Sequence, residues 1–233
     1  MSRGSAGGRP RPAPAPGRAG AGRTARRLLV ASFNPGKARE LARLVEGLGF
    51  TVTTLEACGI REAWEEAGAT YEENARGKAR HYAALSGMVT VADDSGIEIE
   101  ALGWGPGPRS ARYGGAGLDD AGRCRLLLSE LGDRPDAERR ARYVALAAAA
   151  RPDGEARLFR GLCEGRIARE MRGTAGFGYD PLFFYPAFGM TFGEVSEGRK
   201  NGVSHRGRAL RLLAAFLGST EGGAFLAGTT VTA

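Results

Sequence analysis

The chain is poor in the residues that usually build metal centres and covalent frameworks: it holds three cysteines (Cys58, Cys124 and Cys163) and two histidines (His81 and His205). The cysteines are odd in number, widely spaced and form no Cys-x-x-Cys, which argues against a disulfide scaffold or a zinc ribbon and fits a reducing cytoplasm. No apolar run approaches the roughly 20 residues that span a bilayer, so no membrane partner is expected. Lysine and asparagine are as scarce, three of each against 30 arginines, and all six fall in three short places: Asn34 and Lys37, Asn74 and Lys78, Lys200 and Asn201. Where arginine is the default cation, a lysine marks a place that wants a compact ammonium.

Acidic residues are missing altogether from residues 1–27, which carry seven arginines. Outside that stretch the chain has 26 basic and 26 acidic residues, so the net charge of +7 belongs to the tail and not to the body. Residues 1–26, rich in Pro, Gly, Ala and Arg and without apolar periodicity, read as a disordered extension that also lacks the apolar centre of a secretory signal. A nucleic-acid-binding role for this tail is the weaker alternative, since the body is neutral. Residues 27–218 read as one domain, or two closely associated lobes, and residues 219–233 as a frayed tail.

Within the body, Arg27–Phe33 reads as a buried first strand that runs into the turn Asn34-Pro35-Gly36-Lys37. A helix follows, with Leu41, Leu44, Val45 and Leu48 at helical spacing. Phe50–Leu55 is a second strand. Thr70-Tyr71-Glu72-Glu73 has capping-box spacing and opens a helix to about Leu85. Met88–Ala92 is the next strand, ending at Asp93 and Asp94, with a Ser-Gly turn before Ile97–Leu102. Asp119 or Asp120 opens a helix, Tyr143–Ala150 is a central strand, and Ala156–Arg169 is a long exposed one. Gly173–Pro186 is a Gly- and aromatic-rich loop, and Ser204 or His205 opens the last helix. Interleaved strands and helices predict an α/β fold.

Several stretches carry chemistry. Ser32–Lys37, at a strand–helix junction, offers backbone amides and one ammonium to an anion, although the Walker spacing is absent and an ordinary turn has the same look. Glu65-Glu66 and Asp93-Asp94 are carboxylates from two segments, the donor set of a hard cation such as Mg²⁺; a cation and a nearby lysine would let the adjacent aspartates tolerate one another. Phe177 or Tyr179 can stack on a base. Lys200, His205 and Arg206 gather donors at the start of the last helix. Serine catalysis is excluded at Ser95 because no G-x-S-x-G surrounds it.

Acids for a metal, cations for phosphates and aromatics for a base describe a nucleotide-phosphate enzyme, and six stretches resemble one family in order. They are SFNPGK (32–37), EEAGATYEENARGKA (65–79), VADDSGIEIEALGWGPGPRSARYGG (91–115), GTAGFGYDPLFFYP (173–186), TFGE (191–194) and KNGVSHRGRAL (200–210). The chain resembles the inosine/xanthosine triphosphate pyrophosphatases over residues 27–218. The resemblance implies a mixed, elongated central sheet flanked by helices, two lobes with a nucleotide-binding cleft between them, and a homodimer. It implies Mg²⁺-dependent hydrolysis of non-standard purine nucleoside triphosphates (ITP, dITP, XTP) to monophosphate and pyrophosphate.

By motif, Asp94 is expected as general base, sharing Mg²⁺ with Glu65. Ser32, Phe33, Asn34, Pro35, Gly36 and Lys37 are expected to bind the triphosphate. Ser95, Phe177, Gly178, Tyr179, Asp180, Lys200, His205 and Arg206 are expected to hold the nucleotide, with Arg206 or a backbone N–H reading the 6-oxo group. Ser32 stands where the family often has Thr, and Trp104 and Arg109 replace residues it often fills with Gly and an aromatic. A pyrophosphatase for modified pyrimidine nucleotides is the alternative with the same cleft logic.

Overall fold

The computed structural model describes residues 26–115 and 117–228; the expected basic extension lies outside these residues except for Arg26, which already belongs to the first strand. In chain order the elements are β1 (Arg26–Val30), α1 (Pro35–Leu44), β2 (Phe50–Thr54), α2 (Tyr71–Ser86), β3 (Val89–Ile99), β4 (Gly105–Pro106) and α3 (Asp120–Leu131). β5 (Arg140–Ala150), β6 (Ala156–Ile167), β7 (Phe183–Tyr185), β8 (Met190–Thr191), α4 (Glu197–Val203), α5 (His205–Leu217) and α6 (Thr220–Ala227) follow. One mixed sheet runs β2-β1-β3-β5-β6-β7-β8, with β4 paired to the far end of β3. β1 is parallel to β2 and β3, and the remaining pairs are antiparallel.

Local chemistry sets several boundaries. Asn34 caps α1 by accepting from the Gly36 amide, so Pro35–Lys37 are already the first helical turn. Thr70 and Glu73 form the reciprocal capping box of α2. Ser204 caps α5 through the Gly207 amide. On β5 an alanine-rich run lets helices approach both faces: Ala145, Ala147 and Ala149 join the core formed with α1, α5 and α6, while Ala148 and Ala150 join that formed with α2. A third cluster, at the other end of β3 and β5, packs Ile97, Ile99, Leu127, Tyr143, Phe183 and Phe192. β3, β5 and β6 span both ends, which gives the elongated sheet the resemblance implied.

Three expectations are corrected. The Ser-Gly turn after the aspartates does not form: β3 is one 11-residue strand, and Thr90 through Ile99 pair without a break with Ala150 through Ala141. The ladder to β5 satisfies that backbone and overrides the local turn propensity of Asp-Asp-Ser-Gly. β6 is mostly half-buried instead of exposed, because α5 lies across it. Of the tail expected at 219–233, Thr220–Ala227 is helical, with Ser219 as cap and Phe225 and Leu226 buried in the core beside Phe216; residues 229–233 lie outside the described residues.

Candidate active site

Side chains alternate across a strand, so Asp93 and Asp94 point to opposite faces of the sheet. Asp93 faces α1 and α5. Its Oδ1 accepts from Lys37 Nζ at 2.7 Å and its Oδ2 from Arg206 Nε at 3.0 Å. Arg206 Nη2 also reaches Ser95 Oγ, two residues along the same face, at 3.3 Å. Burial alone would raise the Asp93 pKa, but Lys37, Arg206 and Lys78 hold it far below the ordinary carboxylate range. Burial pulls the Lys37 pKa down, against the pull of Asp93.

Asp94 faces α2. Its Oδ2 accepts from Asn74 Nδ2 at 2.9 Å and its Oδ1 from the Ser95 amide at 2.8 Å. Burial, joined by the charge of Glu66, outweighs these bonds and lifts its pKa to about 6. The aspartates therefore tolerate each other by facing apart, with Lys37 and Arg206 bonded to the first and the charge of Lys78 acting on both.

Glu66 is half-buried and ion-paired with Lys78, while Glu65 is exposed and its side chain has no hydrogen bond or ion pair among the described residues. Of the two, Glu66 is the one whose charge acts on Asp94 in this structure. Successive residues of an extended segment diverge, and Lys78, one turn beyond Asn74 on α2, selects the second glutamate. Among the described residues no group of three or more His, Cys, Asp or Glu is placed to hold a metal ion. Two oxygen donors of like charge, Asp94 and Glu66, fit a hard cation such as Mg²⁺, which takes one or two carboxylates and completes its shell with water and substrate phosphates.

β3 exposes an edge between the two sides. β1 pairs with it only through Val91 and β4 only at Glu98–Ile99, so the edge between carries no strand partner. The amides that face this gap are taken locally, Ser95 by Asp94 and Ile97 by Ser110 Oγ. A crevice at the carboxyl end of a parallel strand pair is where open α/β sheets place ligands. The Ser32–Lys37 turn opens beside it. Ser32 Oγ and Asn34 Oδ1 are spent on the turn's own amides, Phe33 is exposed, and Pro35 and Gly36 begin α1, leaving Lys37 to reach Asp93.

Two cavities, of about 280 and 150 Å³, share Phe177, Lys200 and His205 in their walls. Neither is lined by Asp94 or Glu66, which lie on the α2 face. The larger cavity holds Lys37 and Arg206, and the smaller is the more apolar and includes Ser95 and Tyr143. Phe177 is 52% exposed and lies 4.8 Å from Lys200 Nζ and 5.3 Å from the Arg206 guanidinium.

Tyr179 and Asp180, both expected to hold the nucleotide, are buried, bonded within the protein and part of the smaller cavity's wall. Tyr179 donates to the Ser110 carbonyl, and Asp180 binds Lys200, Tyr143 and the Phe177 amide. Lys200, which lines both cavities, is thereby tied to the loop. His205 stacks on Tyr143 at 4.5 Å, and its Nδ1 is buried without a partner. Burial, then Arg206 and Lys200, push its pKa well below the usual imidazole value, so the ring is neutral.

α5 reaches this position because β6 has Gly161 beneath it: a Cβ there would lie 2.0 Å from the His205 carbonyl. Asn74, Lys78 and Glu40 were not among the expected site residues, although Asn74 and Lys78 fall in the lysine–asparagine clusters that marked the chain. Glu40 lines the larger cavity with a buried, unpartnered Oε1, and nothing in its sequence context sets it apart from a surface helix acid.

This geometry matches a described group of proteins. Residues 28–216 fit the model of the Ham1 family. The chain belongs to the Ham1 family. Among relatives of this Ham1 chain, the dITP/XTP pyrophosphatase of Mycolicibacterium paratuberculosis is 48% identical over 190 residues, 80% of this chain and 93% of that one. The dITP/XTP pyrophosphatase of Thermus thermophilus is 46% identical over 187 residues, 80% and 89% of the two chains. A solved HAM1 protein from Coxiella burnetii superposes with a TM-score of 0.77 at 37% identity, covering 82% of this chain and 98% of that one. Trp104, at a site the family often fills with Gly, adopts the left-handed φ of 65° that favours glycine, with the Arg142 guanidinium 4.2 Å over its ring.

Proposed function

We propose that this Ham1-family chain hydrolyses ITP, dITP and XTP to the nucleoside monophosphate and pyrophosphate, with Mg²⁺ as its metal, as a cytoplasmic homodimer. The observation that carries this reading is the pair of carboxylates on opposite faces of β3 beside an open strand edge. One is neutralised by two cations that can turn toward phosphate, and the other, with its pKa raised to about 6, stands beside a second carboxylate. The printed names of the relatives, dITP/XTP pyrophosphatase, support the substrate class.

Lys37 and Arg206, beside the positive N-terminal end of α1, receive the triphosphate. Asp94 orients a water for in-line attack and accepts its proton at a carboxylate oxygen; a base with pKa near 6 is ionised at neutral pH yet still basic enough to work. Glu66 and Asp94 would hold Mg²⁺, which would supply charge neutralisation at the phosphate oxygens. Phe177 offers its exposed face to the base. Because Arg206 is assigned to the triphosphate, the Nδ1 of neutral His205, without a partner among the described residues, is the better reader of a 6-oxo group: carrying the proton, it donates to that oxygen, whereas the 6-amino group of adenine would leave donor facing donor.

The test is pyrophosphate release, with and without Mg²⁺, from ITP, dITP and XTP against ATP, GTP, dGTP, CTP and UTP. Mg²⁺-dependent release confined to the first three is expected. Release from CTP or UTP alone would move the substrate to pyrimidines, and release from none would overturn the reading. Light scattering of the purified chain tests the dimer.

A further inference from the structure

The position of Phe177 is not fixed by its own surroundings. Its ring is exposed, and the glycines on either side, Gly176 and Gly178, both sit in the left-handed region with φ of 79° and 62°. Within its own loop, the Phe177 amide donates to Asp180 Oδ2 at 3.0 Å. The next peptide is held from outside, by α3. The Gly178 amide donates to Asp120 Oδ2 at 2.7 Å, and the Gly178 carbonyl accepts from Cys124 Sγ, one helical turn further on, at 3.5 Å.

Asp120 is itself fixed. Its Oδ1 accepts from Arg123 Nη2 at 2.8 Å, and Arg123 Nη1 donates to the Leu118 carbonyl at 2.5 Å. Burial favours the neutral acid, but Arg123 and the Gly178 amide keep the carboxyl below its ordinary range. An acid in the first turn of a helix is commonly there for the helix dipole. Here that explanation falls short: Asp119 is the cap, accepting from the Gly122 amide at 2.6 Å, and both Asp120 oxygens are committed to Gly178 and Arg123. Asp120 and Arg123 also line the smaller cavity beside Gly178 and His205.

We propose that Asp120, steadied by Arg123, is a positioning residue that latches the Phe177 loop to α3 and so sets the stacking platform for the nucleobase. The inference rests on the nucleotide reading above. It assigns Asp120 no contact with phosphate or with the reacting atoms, and this separates it from the residues around Asp93 and Asp94.

The experiment is a double-mutant cycle on the full chain: Asp120→Ala, Phe177→Ala and both together, each assayed for kcat and KM with ITP and for competitive inhibition by tripolyphosphate, which has no base. Asp120→Ala is expected to raise KM about fivefold or more, with Phe177→Ala as the ceiling because base–aromatic stacking is what the latch serves, and to move kcat less than about twofold. Tripolyphosphate inhibition is expected to be unchanged, and Asp120→Ala to add nothing in the Phe177→Ala background. Asp120→Asn keeps an acceptor for Gly178 but turns an amide donor toward Arg123, and should fall between; it also serves if the alanine variant melts early.

An unchanged KM in Asp120→Ala, a KM increase of equal size in the Phe177→Ala background, or an equal loss of tripolyphosphate inhibition overturns the latch. Activity of the unaltered protein separates this failure from failure of the nucleotide reading. If turnover is absent, calorimetric binding of ITP runs the same cycle, and no ITP binding by the unaltered protein overturns both.

Discussion

Replacing Asp93 by Asn tests whether the buried charge triad is a structural requirement or a surface coincidence. The carboxylate is held between Lys37 and Arg206 with side-chain exposures of 10%, 23% and 11%. Asn can accept from one cation but presents an amide donor to the other, leaving two buried positive groups short of a counter-charge. Removing one member of a buried ion pair costs about 3–5 kcal/mol; Lys37 is open enough to recover some water, so the lower end, about 3 kcal/mol, is expected. For a domain of this size that is a fall in melting temperature of about 6–12 °C. The assay is a thermal melt of both proteins at neutral pH, with and without tripolyphosphate. The anion should recover more of the variant's loss than it adds to the unaltered protein, because it replaces the missing charge. The pH dependence has a fixed sign. Asp93 is depressed in the folded state, so its contribution is present above the ordinary value of 3.8 and the gap between the two proteins closes only as pH falls below it. A variant melting within about 1 °C of the parent, with no added response to tripolyphosphate, would refute the reasoning.

Asp94→Asn should behave in the opposite way: because its folded pKa of about 6 lies above 3.8, its charge destabilises at neutral pH, so the metal-free variant should melt at or above the parent, an advantage that fades as pH falls below 6. Pyrophosphate release should fall about 10²–10⁴-fold in the same protein, the range for loss of a general base, and near-parental turnover would remove Asp94 from that role. Glu66→Gln should raise the Mg²⁺ concentration needed for half-maximal release about tenfold or more while Glu65→Gln leaves it within about twofold, and the reverse order would restore Glu65 as the metal-side carboxylate. Gly161→Ala should cost about 1–3 kcal/mol or more by overpacking and shift the start of α5, so the melting temperature and ITP turnover should drop together; a stable, fully active variant would mean that α5 does not depend on that contact.

What was legible in the sequence was what is decided locally. The Thr70/Glu73 box, the Asn34 turn and the Ser204 start of α5 depend on residues within four positions of one another, and each lies where its pattern indicated. β3 was misread because Asp-Asp-Ser-Gly is a local turn signal, and the ten-residue ladder that overrides it comes from a strand some fifty residues away. α6 was missed because Thr-Glu-Gly-Gly-Ala-Phe-Leu-Ala carries two glycines; its helix rests on the Ser219 cap and on burial of Phe225 and Leu226 against the core. Within the site, the scarcity of lysine was informative: Lys37 holds Asp93, Lys78 holds Glu66 and Lys200 holds Asp180. That Glu66 and not Glu65 pairs with Lys78 was not legible, because neighbours in sequence differ here only in which one α2 faces.

The adjacent aspartates show why the strand matters to the chemistry. In a turn, two neighbouring carboxylates would lie close to each other, share whatever cation approached, and titrate as one coupled pair. In β3 the pleat separates them, so each answers to its own helices. Asp93 meets Lys37 and Arg206 and is held ionised, while Asp94 meets Asn74 and the Glu66 side and is lifted toward neutrality. On the function proposed above, one residue type at consecutive positions supplies both an anion that organises the phosphate-binding cations and a base that takes a proton. On that reading, the open edge of β3, left between the end of β1 and the start of the β4 pairing, is where a single extended ligand would approach both. Extending the β1 pairing by two or three residues would keep both carboxylates and close that access, so the shortness of β1 is as much a part of the site as the aspartates.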